Sequence, residues 1–371
     1  MSWKRLFQRA LAAAPDRLHF AAHSHHLWPD ASYVGQLAAW EDAARLADRK
    51  WERVMGEIWP AAQHHVAAEL GLPDPSTIVF APNTHTLLLG VASALPRRPL
   101  RPLRILTTDG EFHSFRRQSA RWEESGSAVV ERAPLEQLVE RAASGEHDLI
   151  FASHVQFGTG RVLTGLEELA ALARPEGPWV VIDGYHGFMG IETDLSAVAD
   201  RVFYLAGGYK YAMAGEGCAF LHAPTGFGPR PEITGWYAEF DDLSLPPGSV
   251  GYAPDARRFL GSTFDPSGLY RFVAVRDMLA DEGITTATMA AHAAALRDRL
   301  LAALPIEAEL LNPGSPARFM ALRAPEAQRW KAELEAEEVI VDVRGDVLRI
   351  GFGLYQDMRD MDRLLEALRA L

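Results

Sequence analysis

The sequence predicts an α/β fold: a large part built on a mostly parallel sheet with flanking helices, followed by a small α+β part at the C-terminal end. Apolar runs such as Trp179-Val180-Val181-Ile182 and Leu149-Ile150-Phe151-Ala152 put β-favouring residues on consecutive positions. That is the pattern of strands buried on both faces of a parallel sheet. Each run stops at polar residues, Asp183 in one case and Ser153-His154 in the other. Open α/β sheets hold their ligands at such strand ends. The third observation is a β-α-β-β-α spacing beyond residue 304, which marks the small part. At 371 residues the chain has room for both. We divide it into an arm, 1–29, a large part, 30–280, and a small part, 281–371.

In chain order, Asp30 can cap an Ala/Glu/Arg-rich helical stretch over residues 31–70. Pro60 is expected to break it in two, and Trp40, Trp51 and Trp59 read as core or dimer contacts. A short strand over 76–80 leads through Asn83, Thr84, His85 and Thr86 into an apolar helix over 87–95. Amide and hydroxyl side chains there serve either as plain helix caps or as donors to a phosphate, which also favours a helix start. A strand over 104–108 runs into Phe112 and a helix. A short helix over 164–174 precedes the run ending at Asp183. Val202-Phe203-Tyr204-Leu205 is the next strand, and it leads to Gly207-Gly208-Tyr209-Lys210. Residues 225–254 are irregular, and 266–304 are largely helical. The small part then carries strands near 306–311 and 318–323, a helix over 325–336, strands over 339–343 and 347–352, and a closing helix from Asp357.

Composition narrows the function. The net charge of −12 with no compensating basic block argues against a nucleic-acid partner. No apolar run reaches membrane-spanning length, and the first residues lack a signal-type apolar core. A single cysteine, Cys218, leaves no internal disulfide and suits a cytoplasmic location. His23-Ser24-His25-His26 lacks a carboxylate or cysteine at ligand spacing, so no metal site is expected. Gly207-Gly208-Tyr209-Lys210 lacks the P-loop spacing.

An Asp at one strand end and a Lys at another suit pyridoxal phosphate. Its aldehyde needs an amine to hold it, and its ring nitrogen needs a carboxylate to stay protonated and accept electrons. Taken alone, the pair also admits a helix-capping Asp183 and a surface Lys210.

The ordered set Asp183-x-x-His186, Tyr209-Lys210 and Thr234-Gly235-Trp236-Tyr237 resembles the class V aminotransferase superfamily of pyridoxal-phosphate enzymes, and within it the kynureninases. Matches run in order from about residue 20 to 355. The resemblance implies a fold-type I transferase fold, with a mostly parallel sheet of the seven-stranded type, and a homodimer with shared active sites. It implies Lys210, Asp183, Tyr209 and His186 as catalytic residues. For cofactor contacts it adds Asn83, His85 and Thr86 at the phosphate, Phe112 stacked on the ring, Ser153, Trp236, and Ser262 and Thr263 from the neighbouring subunit. Arg349 would grip the substrate carboxylate, with Ser24 of the arm and Trp236 nearby. His23, His85, Phe115 and Thr263 stand where the kynureninase pattern has Asn, Leu, Asp and Asn. The implied reaction is hydrolytic Cβ–Cγ cleavage of a kynurenine-type amino acid to an anthranilate-type product and alanine. The alternatives are an aminotransferase or other lyase on the same cofactor, and an inactive binding protein of the same fold. Sulfur transfer, another activity of the superfamily, needs a mobile cysteine, whereas Cys218 reads as part of an apolar strand.

Overall fold

The structure, a computed structural model, describes residues 2–96, 101–240 and 242–371. After a two-residue strand in the arm (β1, Leu18–His19), seven strands follow: β2 (Ile78–Ala81), β3 (Leu103–Thr108), β4 (Ala128–Ala133), β5 (Leu149–Ser153), β6 (Trp179–Asp183), β7 (Val202–Gly207) and β8 (Ala219–His222). They form one sheet in the order β2-β8-β7-β6-β5-β3-β4. The ladders from β4 to β7 are parallel, and β8 runs antiparallel between β7 and β2. Trp179, Val180, Val181 and Ile182 are fully buried in the middle of this sheet. Burying each such side chain contributes about 1.5–3 kcal/mol, enough to hold the run at the centre. The edge strand β4 has no counterpart in the sequence reading, because Val129 faces solvent and charged residues interrupt its apolar pattern.

The parallel register sets Ser153 of β5 beside Asp183 of β6, and Asp183 beside Leu205 of β7. Two functional positions, Ser153 and Asp183, thus share one sheet edge with the end of β7. Beyond β7 the chain turns through Tyr209 and Lys210 to bring the lysine back over that edge.

The C-terminal segment adds β9 (Glu309–Leu310), β10 (Phe319–Arg323), β11 (Val339–Ile340), β12 (Asp342–Arg344) and β13 (Val347–Gly351). Four of these form an antiparallel sheet, β12-β13-β10-β9, with its own cluster of buried residues including Met320, Trp330, Leu348 and Leu364. The arm joins this segment: β1 pairs in parallel with β11, and Leu18 and Phe20 pack in the same cluster. The closing helix, Met358–Arg369, starts on a capping box between Asp357 and Asp360.

The helical stretch after residue 30 departs from expectation. The first helix, Asp30–Leu46, ends at Ala47, whose φ of 49° no continuing helix accepts. Pro60 instead lies inside continuous helical structure, just after a wide π-turn at Val54–Ile58. Proline has no N–H to give the carbonyl four residues back, and the wider turn accommodates that loss. The first helix packs tightly on the helix Ser267–Asp281. A Cβ on Gly35 would stand 2.5 Å from the Tyr270 carbonyl oxygen, so only glycine permits the approach. Of the three tryptophans, Trp59 is core, Trp51 packs against Tyr237 and Phe264, and Trp40 is 69% exposed. No helix among the described residues is long and apolar enough to cross a membrane.

Candidate active site

A cavity of about 420 Å³ opens at the C-terminal edge of the central sheet, within the size range of small-molecule sites. Lys210 and His186 meet in it, Nζ to Nε2, at 2.7 Å. Asp183 and Ser153 reach it from the strand ends, and Phe112 from the turn after β3. Asn83 and His85 reach it from the start of the helix Thr84–Ala94.

Electrostatics follow from seclusion. Burial pulls the Lys210 ammonium down to about 7, against the opposing pull of Asp183. The carboxyl of Asp183 is pushed up by the same desolvation, partly offset by the Tyr185 N–H and by Lys210. His186 is held well below its ordinary value by burial and by the neighbouring Lys210 charge, so its imidazole is neutral. The Tyr209 phenol is raised to about 12 by burial and the nearby Asp183.

At the helix start, Asn83 caps the backbone by accepting the Thr86 N–H at 2.9 Å. The next positions, Thr84 and His85, face the cavity, and His85 Nδ1 is buried without a partner. His186 Nδ1 is likewise unpartnered. A pyridoxal phosphate fits these features: an anion at a helix N-terminus, a ring against Phe112, a carboxylate and an amine at the strand ends.

Arg349 on β13 is 2% exposed. Its guanidinium donates to Asp342 of β12 and to the Phe157 carbonyl, and its Nε has no partner. Burial lowers it to about 10, still a cation. His23 of the arm stacks on Phe319 at 4.8 Å and lies 3.6 Å from Asp342. Phe319 also packs against His186, which links the arginine end to the lysine end.

Several expected contacts are not brought to this cavity. Thr86 is exposed, and its hydroxyl turns back to Asn83 at 3.2 Å. Trp236 is 42% exposed on the short helix Trp236–Glu239 and does not line the cavity of its own chain, nor do Ser262 and Thr263, which face solvent. Backbone pairing of Tyr237 with Gly261 joins these two loops at the surface. Ser24 only approaches His25, at 3.4 Å. Conversely, Tyr185 and Phe157 line the cavity and Glu111 lies behind its wall, although the sequence assigns none of them a role. Tyr185 lines the cavity between Asp183 and His186, with its ring 4.7 Å from Lys210 Nζ. The intervening positions of Asp-x-x-His hold the clue to it. Phe115, at the family's Asp position, stacks face to face on Phe151 of β5 at 3.7 Å. Here the sheet, not the cofactor, takes the side chain.

This fold and this site define a pyridoxal-phosphate-dependent enzyme of fold type I. The aminotransferase class-V family model matches residues 44–316. The chain is 30% identical over 364 residues to the isopenicillin N epimerase of Streptomyces clavuligerus, across 89% of this chain and 88% of that protein. The chain belongs to the class-V aminotransferase family. Among solved structures it superposes on the cystine C–S lyase C-DES with a TM-score of 0.81 at 18% identity, covering 97% of this chain and 98% of that one. A C-DES variant with glycine linked to its PLP cofactor gives 0.82 at 17% identity, over 100% and 99%. The cysteine desulfurase CsdA of Escherichia coli gives 0.81 at 16%, over 99% and 97%. These relatives carry epimerase and sulfur chemistry in their names, so the comparisons support the class-V family, not its kynureninase branch.

Proposed function

We propose that this enzyme binds an α-amino acid through Arg349, removes its Cα proton with Lys210 and hydrolyses the Cβ–Cγ bond of a kynurenine-type side chain. The observation that carries the reading is the buried pair Lys210–His186, 2.7 Å apart, in a cavity walled by Phe112, Tyr185 and Tyr209. A flat aryl side chain suits such walls. When bound, pyridoxal phosphate supplies an electron-accepting ring that acidifies the Cα–H of an amino acid attached through its amine. Asp183 would hold the proton on the ring nitrogen, Phe112 would cover the ring face, and Asn83, His85 and the N–H groups behind them would hold the phosphate. An amine with a value near 7 is a base and a nucleophile at neutral pH. Tyr209, which keeps its phenolic proton at working pH, is a donor for the departing carbon. Arg349 lies outside the lining of the cavity, behind Phe157, and would offer a substrate carboxylate only the N–H groups that Asp342 and the Phe157 carbonyl leave free.

A second reading, epimerisation at Cα, is favoured by the 30% identity to isopenicillin N epimerase. Lys210 would take the proton, and a group on the other side of the cavity would return one. Sulfur transfer through a cysteine is disfavoured, because burial pushes the Cys218 thiol up to about 12 and leaves no thiolate.

We further propose a homodimer with shared sites. Tyr33, Leu37 and Trp40 sit at i, i+4 and i+7 on the first helix and are all exposed, an apolar stripe that a second copy would cover. Trp236, Ser262 and Thr263, outside the cavity of their own chain, would then serve that of the neighbour.

Incubating the holoenzyme with kynurenine or 3-hydroxykynurenine in deuterated water tests the reaction. The expected result is an anthranilate-type product plus alanine, with no keto acid added. An intact amino acid, deuterated and inverted at Cα, would establish the epimerase reading instead. Turnover only when a keto acid is supplied would make the protein an aminotransferase.

A further inference from the structure

Glu111, in the turn between β3 and Phe112, has no exposed surface and no role in the reaction outlined above. Its carboxyl sits behind the wall of the cavity and is tied to it by Ser153. Oε1 accepts two hydrogen bonds, from the Ser153 backbone N–H at 3.0 Å and from the Thr108 hydroxyl at 2.6 Å. Oε2 faces one partner, the Ser153 hydroxyl at 2.6 Å. Ser153 in turn lines the cavity and is the register neighbour of Asp183.

We propose that Glu111 is a positioning residue whose carboxyl sets the direction of the Ser153 hydroxyl, and so whether Ser153 offers the cavity a hydrogen-bond donor or only an acceptor. The inference rests on reading the Lys210 cavity as the cofactor site. With Glu111 ionised, Ser153 spends its only hydroxyl hydrogen on Oε2 and presents lone pairs to the cavity. Oε1 is already filled by two donors, so an added proton goes to Oε2. There it points at Ser153 Oγ and reverses that bond. The serine hydrogen is then free to turn toward the cavity, next to Asp183.

The surroundings place this reversal in the working range. Burial, reinforced by the Asp183 charge, pushes the Glu111 carboxyl up to about 7, against the pull of its three donors. Among the charged groups around it, Asp183 is the one that acts on the Glu111 carboxyl, and the others line the neighbouring groove. Asp183 approaches from β6, and Asp109 lies on its own turn. His85 and His113 come from the two helix starts, and Arg116, Arg117 and Arg132 line the groove outside. Gln156 reaches Thr108 Oγ1 at 3.4 Å, which lets Thr108 accept there while it donates to Glu111. Arg121 and Glu124, further along the groove, pair with each other.

The test follows the visible absorbance of the holoenzyme between about pH 5.5 and 8.5, a window that brackets a group titrating near 7. Glu111→Gln puts an amide N–H₂ where Oε2 was, because Oε1 must remain an acceptor. It therefore mimics the protonated acid. The expected result is that E111Q holds the band of the wild-type low-pH form at every pH, that S153A lacks the same step, and that the double variant matches S153A. An E111Q profile that follows the wild type overturns the proposal. So does a step that survives in S153A, because charge then acts on Asp183 through space and not through the hydroxyl. Should E111Q fail to fold, infrared difference spectra of wild type and S153A across the same range read the carboxyl directly. Its C=O band must move when the serine hydroxyl is removed, and an unmoved band overturns the inference. Borohydride reduction with peptide mapping separates the two readings. A pyridoxyl group away from Lys210 refutes the assigned cofactor site, whereas a group on Lys210 with an unaltered E111Q profile refutes only the role of Glu111.

Discussion

An amine that must attack a carbonyl has first to lose its proton, and the value of about 7 for Lys210 makes that loss possible at neutral pH. The rate at which apoenzyme takes up pyridoxal phosphate should therefore rise about tenfold per pH unit below that value and level off above it. Stopped-flow absorbance measures this, and a rate still climbing at the ordinary lysine value would show that burial does not tune the amine. The proposed role of Asp183 lies at the other end of the site. A charge-assisted hydrogen bond is worth about 1.5–3 kcal/mol, so Asp183→Asn should slow turnover by about 10–100-fold with cofactor retained. Steady-state kinetics on cofactor-saturated enzyme measures the loss, and wild-type rates would remove Asp183 from the mechanism. Glu111 carries a stability signature as well. Its folded value lies above its ordinary 4.5, so its contribution to stability is full below about pH 4.5 and is lost as pH rises to about 7. Moving a carboxyl by that much corresponds to about 3 kcal/mol. Urea unfolding of apoenzyme across that window should show wild type losing stability relative to E111Q as pH rises.

At the scale of elements, the proposed phosphate site depends on how the helix Thr84–Ala94 begins. Asn83→Ala removes a side-chain cap and should cost about 1 kcal/mol of stability. It should also weaken phosphate binding, because the frayed first turn no longer aims its N–H groups. Thermal unfolding with and without cofactor separates the two effects, and equal losses in both would confine Asn83 to capping. Such capping was legible in the sequence, since Asn followed by Thr-His-Thr and an apolar run is a helix start in any fold. The break at Ala47 was not. Pro60 offered the stronger local signal, and the π-turn at Val54–Ile58 that absorbs it depends on packing that no local pattern contains.

For the whole molecule, the proposed second subunit would cover the exposed stripe Tyr33–Leu37–Trp40 and take up the outward-facing Trp236, Ser262 and Thr263. Trp40→Asp should shift the sedimentation coefficient from dimer to monomer and lower activity with it, since each cavity would lose the loops of its neighbour. A variant that sediments as wild type would show that this face is not the interface.

The central strands and the strand-end positions of Asp183 and Ser153 could be read from sequence alone, because a run of consecutive apolar β-formers has one low-energy home and the polar residue that ends it must lie at the sheet edge. Motif order likewise identified the class-V family, but the comparisons do not support the kynureninase branch it pointed to within that family. Only the tertiary structure decided which polar groups meet. Ser153 and Asp183 are 30 residues apart in sequence and side by side in register. Glu111 is 42 residues from the serine it binds. Arg349 pairs with Asp342 because two antiparallel strands set them opposite one another. Burial, which gives Lys210 and Glu111 their values near 7, is a property of everything packed around a group, so no local stretch of sequence encodes it.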